Sequence, residues 1–255
     1  MNHDDLSVLY VDHHLVVVDK PAGLLSVPGL GPDKADCVSR RVQQRYPDAL
    51  VVHRLDQATS GLLVMGRGAP AQKRLSQTFA SRAVTKRYLA WVHGHLPLDN
   101  TSGDTSGDTS SDTSGDTVGD TVGENWHTID LPLAADWPRR PLQIVHPEGR
   151  PSLTRWRCLQ TRDEPACSLL ELEPHTGRSH QLRVHLKAIG HPIGGDALYG
   201  DPSVEQSSPL GKRLQLHARR LSLPHPDHGE LLTWEAALPP DWGPDGGSQA
   251  AVSVV

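Results

Sequence analysis

Between Asn100 and Glu124 the chain reads NTSGDTSGDTSSDTSGDTVGDTVGE, a near-repeat of Gly, Asp, Thr and Ser that sets the strongest limit on what can fold here. It has no aromatic residue, no periodic apolar face and glycine at nearly every fourth place, so it buries too little surface to offset its ordering entropy. A disordered acidic insertion over residues 100–124 is therefore expected. As a flexible coil of about 25 residues it would span roughly 25–30 Å, and it is expected to project from a hairpin between a strand at Tyr88 and one at Trp126. Calcium binding by the repeated Asp is the alternative. It lacks both the glycine-rich nonapeptide of calcium-binding β-helices and EF-hand spacing.

The same tract explains the charge. The formal total is −5, to which the tract contributes five Asp and one Glu, so the rest of the chain is close to neutral, at about +1. An acidic total therefore does not exclude a nucleic-acid partner, and the placement of the cations decides. No apolar run approaches membrane-spanning length, and Met1 to Asp5 lacks the basic start and apolar core of a signal peptide. A cytoplasmic protein with no membrane partner is expected. The three cysteines, Cys37, Cys158 and Cys167, form no CxxC pair; they read as small buried side chains rather than a disulfide framework or zinc knuckle. With 255 residues and one break in composition, the chain is expected to be a single domain, 1–255, carrying the insertion.

Along the rest, Ser7–Tyr10 and Leu15–Asp19 have strand character, and Lys20-Pro21-Ala22-Gly23 ends the second. Asp36–Tyr46 reads as an amphipathic helix with Arg40, Arg41 and Arg45 on its outer side, and Pro70–Ala83 as a helix with Leu75, Phe79 and Ala83 on its core stripe. Leu62–Met65, Tyr88–Val92, Thr154–Gln160 and Ser168–Glu173 read as strands. A helix over Ser179–Ala188 is expected to be capped by Ser179 and ended by Gly190. Strands mixed with a few helices in no regular βαβ order predict an α+β fold.

Chemistry concentrates at His53-Arg54-Leu55-Asp56-Gln57-Ala58-Thr59-Ser60-Gly61, a polar turn feeding an apolar strand. Its carboxylate follows an arginine by two residues and precedes Thr-Ser-Gly. Local hydroxyl and backbone donors can hold it while a cation balances its charge; alternatively, Asp56 merely caps backbone amides. The fifteen histidines offer no metal site, since His180 and His185 are five apart and no HExxH string occurs. His53, His180 and His185 read as residues that position other side chains or contact phosphate. A P-loop, a dinucleotide fingerprint and a GxSxG elbow are all absent. No cofactor and no metal are expected.

The string HRLDQATSGLLV resembles the signature of the RluA-type pseudouridine synthases. Lys86-Arg87-Tyr88-Leu89-Ala90-Trp91-Val92-His93-Gly94 resembles their second motif, and His175-Thr176-Gly177-Arg178-Ser179-His180-Gln181-Leu182-Arg183-Val184-His185 their third, in the same order. Asp19 to Leu24 and Gly190 to Asp196 extend the resemblance, which runs from about residue 7 to about residue 236. Leu131-Pro132-Leu133 and Asp136-Trp137-Pro138-Arg139-Arg140-Pro141 further resemble the subgroup around RluA itself.

This resemblance implies a mixed, largely antiparallel sheet with flanking helices and a cleft across its middle. It implies an isomerase that detaches uracil from C1′, turns it and rejoins it through C5, with no redox step. Breaking that bond builds positive character on the sugar, as in glycosidases, so an anion belongs beside C1′. By resemblance the anion is Asp56, Arg183 pairs with it bidentately, and Tyr88 stacks under the base and offers a hydroxyl. Whether Asp56 attacks C1′, attacks C6 or removes a proton stays open. Arg54 would take the place of the flipped nucleotide. His53, Arg178, His180, Lys86 and Arg87 complete the expected RNA-binding set. Two basic groups, Lys73, Arg74, Arg82, Lys86 and Arg87, then Arg139, Arg140, Arg150, Arg155 and Arg157, are solvated faces or phosphate contacts.

The first motif starts within a few residues of Met1, so no S4-like module is expected and RNA selection is expected to come from the catalytic domain; a monomer is expected. The subgroup implies uridines in stem-loops as substrates: position 32 in the anticodon arm of some tRNAs, and a loop of large-subunit (23S) rRNA. Two other classes stand beside this one. A non-catalytic RNA-binding or folding module would not need Asp56, and a nucleoside or glycoside hydrolase would need a second acid near it.

Overall fold

The computed structural model describes residues 6–31, 34–98, 126–205, 210–211 and 213–244. The expected insertion at 100–124 lies outside the described residues. In chain order the elements are β1 (Ser7–Val11), β2 (Leu15–Lys20), α1 (Val38–Arg45), β3 (Ala49–Val51), β4 (Ser60–Arg67), α2 (Gly68–Ala80), β5 (Thr85–His93), β6 (His127–Asp130), β7 (Leu133–Ala135), β8 (Gln143–Val145), β9 (Leu153–Arg162), β10 (Cys167–Pro174), α3 (Gln181–Ala188), α4 (Pro202–Glu205), β11 (Leu216–Pro224) and β12 (Leu231–Glu235).

Ten of the strands form one sheet in the order β1-β2-β4-β11-β5-β10-β9-β6, with β3 also on β4 and β12 on β11; β7 and β8 form a separate hairpin. Every pairing in the large sheet is antiparallel except β4 with β11. The α+β class and the mixed, largely antiparallel sheet are as the sequence implied. The expected hairpin between the Tyr88 and Trp126 strands is not: β10 and β9 stand between β5 and β6. Adjacency in sequence suggested a pairing that a later hairpin, β9–β10, occupies instead. No helix among the described residues is long and apolar enough to cross a membrane.

Burial follows the two-residue period of the strands. Leu170 and Leu172 of β10 and Leu216 of β11 pack with Leu182 and Leu186 of α3 on one face. Leu89, Trp91 and Leu169 pack with Trp242 on the other. In the N-terminal half, Leu63 and Met65 of β4 face Val38 and Val42 of α1, while Leu62 and Val64 face Leu75 of α2. Cys37, Cys158 and Cys167 are buried and form no disulfide among the described residues.

Helix ends differ from expectation in ways that matter for the site. α2 stops at Ala80, so Ala83 is exposed beyond it and Val84 fills the apolar position instead. Ser179 does not cap α3; the cap position belongs to His180, whose φ of 55° is left-handed and which makes no side-chain cap hydrogen bond. Gly190, with φ 88°, follows the helix end as expected.

Candidate active site

Asp56 lies in the loop between β3 and β4, on a cleft of about 2370 Å³ that crosses the middle of the sheet. That volume exceeds the upper end of small-molecule pockets, about 1,000 Å³, and suits a polymer. The loop turns into β4 through Gly61, whose φ is 107° and where a Cβ would stand 2.4 Å from the Ala218 carbonyl oxygen. Glycine is required because β4 and β11 approach there, with Gly61 opposite Ala218 in the parallel pair. The Thr-Ser-Gly turn thus places Asp56 at the seam between the two halves of the sheet.

Cations and rings, rather than local hydroxyls, surround the carboxylate. Its Oδ2 lies 3.5 Å from Arg183 Nη1 and its Oδ1 lies 3.9 Å from His180 Nε2. Ser60 Oγ is turned away, 2.9 Å from His217 Nδ1, and the Thr59 amide donates to the main-chain oxygen of Asp56 at 3.1 Å. The expected hydroxyl clamp is therefore a cation contact, because Ser60 begins a strand and its side chain enters the core.

The expected bidentate pair also has a different partner. Arg183 donates from Nε to Asp196 Oδ2 at 2.8 Å and from Nη2 to Asp196 Oδ1 at 2.6 Å, leaving Nη1 for Asp56. Asp196 further accepts from the Leu198 and Tyr199 amides at 3.0 and 3.1 Å, and its side chain is fully buried. Gly195, with φ 68° and a Cβ position 1.9 Å from the Arg213 carbonyl oxygen, is what lets the chain deliver Asp196 there. Asp196 was missed as a site residue, although an acid directly after two glycines in Gly194-Gly195-Asp196 was a signal. A second acid, the group a hydrolase would need, is thus near Asp56. It is locked and solvent-free, so it cannot serve a hydrolase as general acid.

Tyr199 ties these groups together. Its hydroxyl is 2.7 Å from His180 Nδ1, it accepts from the Gln143 amide at 2.9 Å, and the Arg183 guanidinium lies 5.0 Å from its ring centroid. Burial lowers the pKa of His180 while the Asp56 charge pulls it up. Upstream, Gln181 holds the Thr176–Arg178 turn to β9 by accepting from Thr176 Oγ1 at 2.7 Å and donating to the Leu153 carbonyl at 3.0 Å.

Tyr88 of β5 lines the cleft, and among the described residues no side chain holds its hydroxyl. Burial, then the Asp56 charge, push its pKa up, so it acts as a neutral phenol. Arg54 is exposed on the cleft with no carboxylate against it among the described residues, so its guanidinium is open to the cleft. Arg178 and Lys86 also line the cleft. Burial holds His53 down to about 3, so it is a neutral ring, stacked on Phe79 at 4.5 Å and accepting from the Val64 amide at 3.1 Å. It positions the motif and brings no charge to phosphate. His185 is likewise structural, within hydrogen-bond distance of Thr154 Oγ1 and the Leu131 carbonyl.

Several expected phosphate contacts are engaged elsewhere. Arg87, one residue out of phase with Lys86 and Tyr88, pairs with Glu173, Arg157 pairs with Glu171 at 2.7 Å, and both stack on Trp126. Arg155 joins them, 5.1 Å from the Trp126 ring centroid. Arg74 bonds the Pro226 carbonyl at 2.8 Å.

Lys20, fully buried at the end of β2, was another omission. Its Nζ donates to the carbonyls of Pro21, Leu24 and Gln57 at 3.0, 2.7 and 2.9 Å, fastening the 21–24 turn to the residue after Asp56. Burial brings its pKa from 10.5 down to about 7, against an upward pull from Asp56. Between those values the unfolded chain binds the extra proton, so this group's contribution to stability rises with pH. The stability difference between wild type and Lys20→Met is expected to widen from pH 7 to pH 10 in urea unfolding. A constant difference would mean that Lys20 stays charged throughout.

Comparison with known proteins agrees with this geometry. Residues 14–188 match the model of the family described as RNA pseudouridylate synthase. The chain is 41% identical over 223 residues to the dual-specificity RNA pseudouridine synthase RluA of Yersinia pestis, covering 87% of this chain and 94% of the relative. It is 39% identical over 233 residues to RluA of Escherichia coli strain K12, covering 91% and 92%. Among solved structures, human RNA pseudouridylate synthase domain containing 1 superposes with a TM-score of 0.68 at 27% identity, covering 93% of this chain and 85% of that one. A family match across most of the chain, and relatives of this identity over nearly their whole length, place the chain in the RNA pseudouridylate synthase family.

Proposed function

We propose that this chain isomerises uridine to pseudouridine in RNA stem-loops, in the anticodon arm of tRNA and in large-subunit rRNA, with Asp56 as the catalytic anion. The observation that carries this reading is the Asp56 carboxylate on an open cleft, with the Arg183 and Tyr88 side chains both beside it. The N1–C1′ bond breaks, the C5–C1′ bond forms, and the proton from C5 leaves while N1 gains one. Asp56 offsets the charge at C1′. Tyr88 stacks on the freed base and offers a hydroxyl that no side chain among the described residues holds, and Arg54 fills the gap left by the flipped nucleotide. Arg178 and Lys86 grip the backbone, with Arg87 as a reserve that must first leave Glu173.

The same reading makes the protein a cytoplasmic monomer that selects RNA with its one catalytic domain. The dual-specificity name of the relatives supports two RNA targets. Site-mapped pseudouridine formation on transcribed tRNA and large-subunit rRNA fragments tests it, and conversion on neither would overturn it. With Arg54, Arg82, Lys86 and Arg178 on the cleft, raising salt from about 50 to about 200 mM is expected to weaken RNA binding by roughly 50- to 150-fold. A flat response in filter binding would remove these residues as phosphate contacts.

A further inference from the structure

The β7–β8 hairpin ends in a stiff tip. Asp136 donates its amide to the Leu142 carbonyl at 2.9 Å, Leu142 donates to the Arg139 carbonyl at 3.0 Å, and Arg139 donates to the Asp136 carbonyl at 3.1 Å. The buried Asp136 carboxylate also accepts from Arg139 Nε at 2.7 Å. At the base of the tip, Leu142 packs on Val184 and Tyr199, and the Gln143 amide meets the Tyr199 hydroxyl. The tip is therefore fixed to the same tyrosine that contacts His180 and Arg183.

On this rigid support stands the largest exposed aromatic surface among the described residues. Trp137 is 70% exposed, and the Arg140 guanidinium lies over its ring, 3.4 Å from the centroid. Pro141, next in the chain, lines the cleft. An indole left in water gives up burial worth about 25 cal/mol per Å². A planar cation backing an open aromatic face suits a nucleobase, because the ring stacks on the base while the charge offsets the adjoining phosphate. The cleft beside it carries Arg54, Arg178 and Lys86, so charge favours a polyanion over an apolar protein surface.

We propose that Trp137, backed by Arg140, is a positioning residue that stacks on an unpaired base next to the target uridine. This rests on the pseudouridine synthase reading, but its test does not depend on turnover. In full-length protein carrying Asp56→Asn, binding is measured to a transcribed tRNA anticodon stem-loop and to versions with a single abasic site at each loop nucleotide. Trp137→Ala is expected to weaken binding to the intact loop roughly 5- to 100-fold, and Trp137→Tyr to restore most of it. One abasic site should weaken the Trp137-containing protein by a similar factor yet leave the Trp137→Ala protein unaffected. Equal affinities for the Trp and Ala proteins, or abasic losses that add to the Ala substitution at every position, would overturn the proposal. Absence of pseudouridine with wild type would instead count against the enzymatic reading alone.

Discussion

Asp56→Asn is expected to remove uridine conversion by about 10⁴-fold or more while RNA binding stays close to that of wild type. The substitution keeps the shape and removes the charge. Because the carboxylate contacts Arg183 and His180 only at 3.5 and 3.9 Å, the fold does not rest on it. Its work lies in the transition state, where positive character on C1′ needs an anion. Pseudouridine mapping at equal RNA occupancy gives the readout. Conversion by the variant at the wild-type rate would show that another group does the work assigned to Asp56, conversion by neither protein would support a non-catalytic module, and release of free uracil by wild type would indicate a hydrolase.

The second large effect is expected at a residue that cannot touch RNA. Asp196→Ala leaves Arg183, whose side chain is 4% exposed, without its bidentate partner. Removing one member of a buried pair costs about 3–5 kcal/mol, which in a protein of this size lowers Tm by roughly 10 °C. Activity is expected to fall further than stability explains. The freed guanidinium has Asp56 as its nearest remaining carboxylate and would turn to grip it with both nitrogens, drawing it away from the substrate. Conversion measured well below the new Tm separates the two losses. A rate like that of wild type in folded Asp196→Ala would show that Arg183 needs no tether.

Much of the site was legible because its parts are local. Asp56, Tyr88 and Arg183 lie in a loop, a strand and a helix, each inside a short motif that carries the family resemblance, and all three meet at the cleft. What the sequence hid depends on distant backbone. The fork of Arg183 chose Asp196 over Asp56 because a tight approach between Gly195 and Arg213 brings that acid in. Lys20 reads as a surface lysine beside a proline until three carbonyls converge on its ammonium. Arg87 and Arg157 looked like free cations because Glu173 and Glu171 reach them only through the β5–β10–β9 pairings. Strand pattern likewise gave the class of the sheet but not its order, since alternation is the same whichever strand lies alongside.

The order of that sheet bears on when the enzyme comes into being. β11 joins the half that carries Asp56 to the half that carries Arg183, pairing with β4 on one side and β5 on the other. It is also the last but one of the described strands, ending at Pro224. A nascent chain at residue 200 already holds every side chain named for the chemistry, yet the strand that seats them against one another is still to be made. Translation itself therefore acts as a timer: catalysis can begin only once β11 has been made and has paired with both β4 and β5.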